Sequence, residues 1–217
     1  TSTPGTVASS EIDELSGLSA SRTTDGVYWA HNDSGDSARL FALGDDGRDL
    51  GTYVLDGAAA RDWEDLAVGP GPDAATSHLY AGDIGDNSKA RPSIQVYRVP
   101  EPTVDPSAGA PPPQTLGDVS TLTLVYPDGP HDAEALLGDP SWGELFIVTK
   151  ELASGDGQVF RAAANLAPGS TTTLTQVATV APGLGGGVTA GGVSPASEVV
   201  ALRTYLSVVL FWCPSGA

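Results

Sequence analysis

The stretch Leu79-Tyr80-Ala81-Gly82-Asp83-Ile84-Gly85-Asp86-Asn87 repeats, in altered form, the earlier Val27-Tyr28-Trp29-Ala30-His31-Asn32-Asp33-Ser34-Gly35-Asp36. In both, a short apolar run of strand length enters an Asp-x-Gly-Asp turn. Working outward, each is preceded by another short run and a Gly/Asp/Pro turn (Ser16-Gly17-Leu18 and Glu64-Asp65-Leu66-Ala67-Val68). Each is followed by a third run, Arg39 to Leu43 and Ile94 to Val99. The same order returns twice: Glu134 to Leu137, Leu145 to Lys150 and Gln158 to Arg161, then Val188 to Val193, Val199 to Thr204 and Val208 to Trp212. A fourth run closes the first three units, at Gly51 to Leu55, Ser120 to Tyr126 and Leu174 to Val180.

Four-stranded antiparallel units recurring at this period predict an all-β chain, a β-propeller of about four blades. A sandwich or jelly roll is the competing arrangement, because short strands alone do not separate them. One domain over residues 1–217 is expected, with units near 10–56, 61–126, 131–180 and 186–217 and a Pro-rich loop at 101–114. The fourth unit has three strands. Either Gly5 to Ser9 supplies its outer strand and closes the ring, or the edge stays open and pairs with a second copy.

Composition narrows the function. Ten Lys and Arg stand against 27 Asp and Glu, a formal charge of −17. That balance excludes a nucleic-acid partner held through phosphates and disfavours anionic membranes. With 27 Gly and 17 Pro, long helices are not expected, and no run is long enough to insert in a membrane. The single cysteine, Cys213, allows no internal disulfide and is expected to be inert and buried in the last apolar strand. The small, polar start Thr1-Ser2-Thr3-Pro4-Gly5-Thr6 reads as a mature N-terminus without a signal peptide. Together with few Lys and one Cys, it predicts a secreted, extracellular protein.

The motifs Trp29 to Asp36, Arg61-Asp62-Trp63-Glu64-Asp65, Tyr80 to Asn87, Tyr97-Arg98-Val99-Pro100-Glu101-Pro102, Asp128 to Ala135 and Ala201 to Tyr205 resemble a group of secreted actinobacterial β-propeller proteins. That group is mostly uncharacterised and broadly similar to esterase-like phytase and WD40-like propellers. The resemblance runs from about Glu14 to Tyr205. It implies the propeller fold and carries no assigned activity with it.

Two constellations point to chemistry. Asp33, Asp36, Asp83, Asp86 and Asn87 sit at matching offsets in the two Asp-x-Gly-Asp turns. Such turns gather carboxylates and carbonyls as Ca²⁺ requires, or cap their own loops as Asx-turns. The second constellation is acidic: Glu14, Glu64 and Glu134 near the starts of the inner strands, with Arg61, Lys150 and Arg203 as basic partners. A ring of Asp33, Asp83, Lys150 and Arg203 would be self-neutralising; a pocket for a polar ligand or a channel metal are the alternatives. His131 with Asp132 and Glu134, and Glu64 beside them, are the candidates for catalysis by a general base. His31 is expected to be structural and His78 exposed. No Gly-x-Ser-x-Gly elbow and no phosphate loop occurs. A binding or scaffold module with cation-holding acidic loops, and a small polar ligand or protein partner, is therefore expected. The alternatives are a metal-dependent hydrolase of phosphate or carboxylic esters, and self-association through the C-terminal edge strand.

Overall fold

The computed structural model describes residues 5–152, 154–183 and 186–213, and every regular element among them is a strand. Four small sheets form a four-bladed β-propeller. Blade 1 holds β1 (Leu15–Ala20), β2 (Val27–Asn32), β3 (Arg39–Gly44) and β4 (Asp49–Leu55). Blade 2 holds β5 (Trp63–Pro70), β6 (Ser77–Asp83) and β7 (Ile94–Pro100), then a short β8 (Gln114–Leu116) that joins blade 1, then β9 (Ser120–Val125). Blade 3 holds β10 (Ala133–Gly138), β11 (Leu145–Thr149) and β12 (Gly157–Ala162), then β13 (Thr171–Thr173), which joins blade 2, and β14 (Thr175–Val180). Blade 4 holds β15 (Ala190–Val193), β16 (Val199–Arg203) and β17 (Val208–Trp212). No helix among the described residues is long and apolar enough to cross a membrane.

Within each blade, neighbouring strands are antiparallel and successive side chains alternate between the faces turned to adjacent blades. The core therefore lies between blades, in three clusters. Trp29, Leu40, Tyr53, Trp63 and Tyr97 fill the space between blades 1 and 2. Ile94, Leu122, Leu124, Ile147 and Phe160 fill that between blades 2 and 3. A smaller set around Leu137, Val148 and Leu202 lies between blades 3 and 4. Large rings meet edge to face, as at Trp29 and Tyr53 with centroids 5.1 Å apart, and Trp63 Nε1 donates to the Ala59 carbonyl at 3.0 Å.

The inner strands carry a repeated irregularity. Trp63 pairs with Asp83 but Asp65 pairs with Gly82, so Glu64 is an extra residue. Ala133 pairs with Thr149 but Ala135 with Val148, so Glu134 is extra in blade 3. β1 slips in the same way between Leu15 and Leu18. These are β-bulges at one shared position, and a bulge re-aims the side chain it carries.

Asp65, just past the bulge, ties three inner strands together. It is 1% exposed. Its Oδ1 accepts the Leu66 N–H at 2.9 Å, and its Oδ2 accepts those of Leu136 in blade 3 at 2.9 Å and Gly191 in blade 4 at 3.1 Å. Ser16 of blade 1 joins this collar, its hydroxyl donating to the Glu64 carbonyl at 2.6 Å.

Several expectations need correction. Gly5 to Ser9 does not complete blade 4: Ala8 N–H donates to the Gly47 carbonyl at 3.0 Å, which seats this segment against the turn between β3 and β4. Blade 4 keeps three strands among the described residues, and β15 packs only slightly against β1. Cys213 is exposed, because β17 is an edge strand. His78 is buried beside Tyr80, with Nδ1 3.1 Å from the Thr76 carbonyl.

Each buried N–H left without an acceptor costs about 1–3 kcal/mol. Asp65→Asn turns an NH₂ toward backbone donors and is expected to destabilise the fold by about that amount, while Asp65→Ala, orphaning three donors, costs about 3 kcal/mol or more. Urea unfolding of the two variants beside the parent chain measures this.

Candidate functional site

At the end of the axis where the inner strands begin, three carboxylates converge. Oxygens of Asp33, Asp62 and Glu64 all lie within 4.8 Å of one another. Asp33 follows β2, Asp62 precedes β5, and Glu64 is the bulge residue of β5. Glu64 is only 5% exposed, and among the described residues no donor bonds its carboxylate. The backbone of Gly85 presses on the group: a Cβ there would overlap Glu64 Oε1 and Asp62 Oδ2. Glycine is needed at this position for close approach rather than for its backbone angles.

The electrostatics follow from this crowding. Burial, then the charges of Glu134, Asp33, Asp62 and Asp132, push the Glu64 carboxyl up to about 9. Asp62 is raised by burial and by Asp132 and Asp33. Burial also raises Glu134, although Lys150 opposes it through an ion pair. Burial alone would lower Lys150; the Glu134 carboxylate and then Tyr205 outweigh it and raise the ammonium. Lys150 also lies 5.7 Å from the centroid of the Tyr205 ring, which brings blade 4 to the same mouth.

The other sequence candidates fall into different surroundings. Asp36 is held by Arg39 Nε at 2.8 Å and by the Asn32 amide at 2.9 Å. Burial would raise its carboxyl, but these partners leave it below its ordinary value. Asp83 forms a buried ion pair with Arg91 at 2.7 Å. Asp86 accepts the Arg91 N–H at 2.6 Å and the Ser88 hydroxyl at 3.2 Å, and its own N–H donates to Asp132 at 2.9 Å. Asn87 and Arg61 are exposed. Glu14 is exposed, and its carbonyl accepts the Asp33 N–H at 2.8 Å. Arg203 donates to Thr189 Oγ1 at 3.2 Å. The expected ring of Asp33, Asp83, Lys150 and Arg203 is therefore not assembled: Lys150 neutralises Glu134, and Asp83 belongs to Arg91.

The histidines serve loops. His31 is fully buried against Trp63, Nδ1 2.6 Å from the Asn32 carbonyl, and burial lowers its pKa. His131 packs on Tyr126 and Phe160 with Nε2 3.0 Å from Asp128. Its Nδ1 is buried without a hydrogen-bond partner, 3.7 Å from Glu151, so no hydroxyl or thiol bonds it among the described residues. Arg91 carries no signal in the sequence, whereas Asp62 and Asp65 belong to the acidic run Asp62-Trp63-Glu64-Asp65 at the start of an inner strand. The recurrence of an acid two residues before each bulge acid, Asp62 before Glu64 and Asp132 before Glu134, was a further signal for Asp62.

No protein-family profile matches the chain, and no curated protein does. Solved structures of similar shape include hydrazine synthase of Kuenenia stuttgartiensis, at 13% identity and TM-score 0.43, covering 87% of this chain and 56% of that one. A chain of the mitotic checkpoint complex matches at 13% identity and TM-score 0.41, covering 91% and 61%. U3-55K matches at 9% identity and TM-score 0.32, covering 94% and 93%. The chain thus spans less than two thirds of the first two.

A carboxyl whose folded pKa lies above its unfolded value favours the folded state at low pH, and that contribution is lost as pH rises. For Glu64 the window runs from about 4.5 up to about 9. Across it, stability is expected to fall by up to about 1.4 kcal/mol per pH unit for this one proton. Glu64→Gln flattens the slope and is more stable than the parent above neutrality; urea unfolding at three pH values reads both.

Proposed function

We propose that this chain is a β-propeller binding module whose acidic mouth holds a divalent cation between Asp33, Asp62 and Glu64. One observation carries the reading: the Glu64 side chain is buried among other carboxylates, and among the described residues no donor or basic side chain bonds its carboxylate or that of half-buried Asp62. Other acids around the axis have such partners. Asp83 has Arg91, Glu134 has Lys150, and Asp65 has three backbone N–H groups. A hard cation fits the donor set, which is wholly oxygen, and would let Glu64 ionise near neutrality instead of retaining a proton. Ca²⁺ takes six to eight oxygens, so three carboxylates leave room for water or for the oxygens of a polar ligand.

Binding is favoured over catalysis because, among the described residues, no hydroxyl or thiol is hydrogen-bonded to His131. A place outside the cytoplasm is part of this reading, on the low Lys content and strongly acidic balance of the chain.

The test is thermal unfolding at pH 8 with Ca²⁺, Mg²⁺ or Mn²⁺ in a metal-stripped sample. Ligand binding to the folded state alone raises the midpoint by mass action, about 2.7 kcal/mol at a hundred times the dissociation constant. The parent is expected to shift upward by several degrees and Glu64→Gln not at all. Gly85→Ala, whose methyl would fill the cradle, is expected to lose the response too. A parent chain indifferent to all three ions, with a midpoint equal to that in chelator, overturns the reading.

A further inference from the structure

In blades 2 and 3 the link between the third and fourth strands does two things. In blade 2 it first forms β8, parallel to the last three residues of β4, pairing Gln114 with Tyr53, Thr115 with Val54 and Leu116 with Leu55. It then turns into β9, antiparallel to β7. Blade 3 repeats the pattern. β13 runs parallel to the last three residues of β9, from Thr171 opposite Thr123 to Thr173 opposite Val125, and the chain then enters β14, antiparallel to β12. Both links also deliver an apolar anchor. Leu116 and Val119 pack on the core between blades 1 and 2, and Leu174 is 2% exposed in the core between blades 2 and 3.

Between blades 3 and 4 the same two receiving edges stand bare among the described residues. β14 is the last strand of its sheet, and Thr175 to Thr179 are all exposed. β17 is the last strand of the other. An apolar cavity of about 370 Å³ opens between them, lined by Phe146, Val159, Val177, Val180 and Phe211, with Cys213 at its border. It occupies the place that Leu116 and Leu174 occupy in the complete interfaces.

We infer that this cleft is a docking site for one extended peptide segment, running parallel to Ala178–Val180 for three residues and then antiparallel to β17. The two complete interfaces define the occupant: a β-prone, Thr-rich stretch with Leu or Val at its end or within three residues after it. The anchor enters the cavity, while backbone N–H and C=O groups satisfy both edges in turn. A second copy of this chain is a poor occupant, because two molecules of charge −17 repel.

The probe is a synthetic peptide copying Gln114–Val125, added in trans to the 217-residue chain. Saturable one-to-one binding by calorimetry is expected, weakened at least about ten-fold by Leu116→Asp in the peptide, which puts a charge where the apolar anchor packs. Phe211→Asp in the chain is expected to do the same. Disulfide trapping leaves the chain unaltered and reads direction. Cys213, at the end of β17, should cross-link to a peptide carrying Gly117→Cys, at the junction of the two stretches, and not to one carrying Val125→Cys. Absence of binding at millimolar peptide, equal binding by the Leu116→Asp peptide, or cross-linking from the far end each overturns the inference. So does a dimer in light scattering that the peptide leaves intact, since a second copy would then cover the cleft.

Discussion

Inner strands that converge on an axis leave one row of backbone groups with no ladder partner and little water. That constraint organises this molecule, and Asp65 is the answer to it. Its carboxylate reaches N–H groups of its own strand, of β10 and of β15, so the edges of three blades share one acceptor. The cost is a carboxyl buried without a counter-ion, pushed up to about 7 by burial although three donors pull it down. Small residues make the closeness possible. A Cβ on Gly191 would crowd Leu137 and Leu202, and one on Gly17 would overlap His31 and the Leu66 nitrogen.

The bulge before Asp65 generates the acidic mouth as a consequence. Inserting one residue lets Asp65 point inward while Glu64 meets Asp33 and Asp62. The same insertion in blade 3 places Glu134 nearby, where Lys150 meets it. One of the two bulge acids is thus neutralised and the other is not. Packing and function share a single backbone irregularity, so the mouth cannot be redesigned without disturbing the collar beneath it.

The blades were legible because a strand's length and its turn residues are local properties, and all four repeats kept them. What failed was register. Asp33 and Asp83 match in the repeated motif, yet Asp33 N–H bonds the Glu14 carbonyl, whereas in blade 2 the corresponding bond comes from Gly85 to Asp62. Asp83 still pairs in the ladder, opposite Trp63, while Asp33 lies one residue past β2. An offset of this kind turns a side chain to the other face of the sheet. Asp83 therefore turns toward Arg91 and Asp33 toward the mouth, and no spacing argument separates them. Cys213 and His78 failed for a related reason: burial depends on what covers a strand, and β17 is an edge whereas His78 lies beneath Tyr80.

Cohesion between blades falls along the chain, and the manner of edge covering explains the gradient. Blades 1 and 2 are held by the Trp29, Tyr53, Trp63 and Tyr97 cluster and stitched by β8; blades 2 and 3 by Phe160 and its neighbours and stitched by β13. Blade 4 has no such stitch among the described residues, and the strand face bearing Val208, Leu210 and Trp212 is exposed. Its seating depends on Gly191 bonding Asp65, on Leu202 packing near Leu137, and on Lys150 lying against Tyr205. Two of these three ties lead back to the axis. Lys150, paired with Glu134 and lying against Tyr205, thus serves both the acidic mouth and the seat of blade 4.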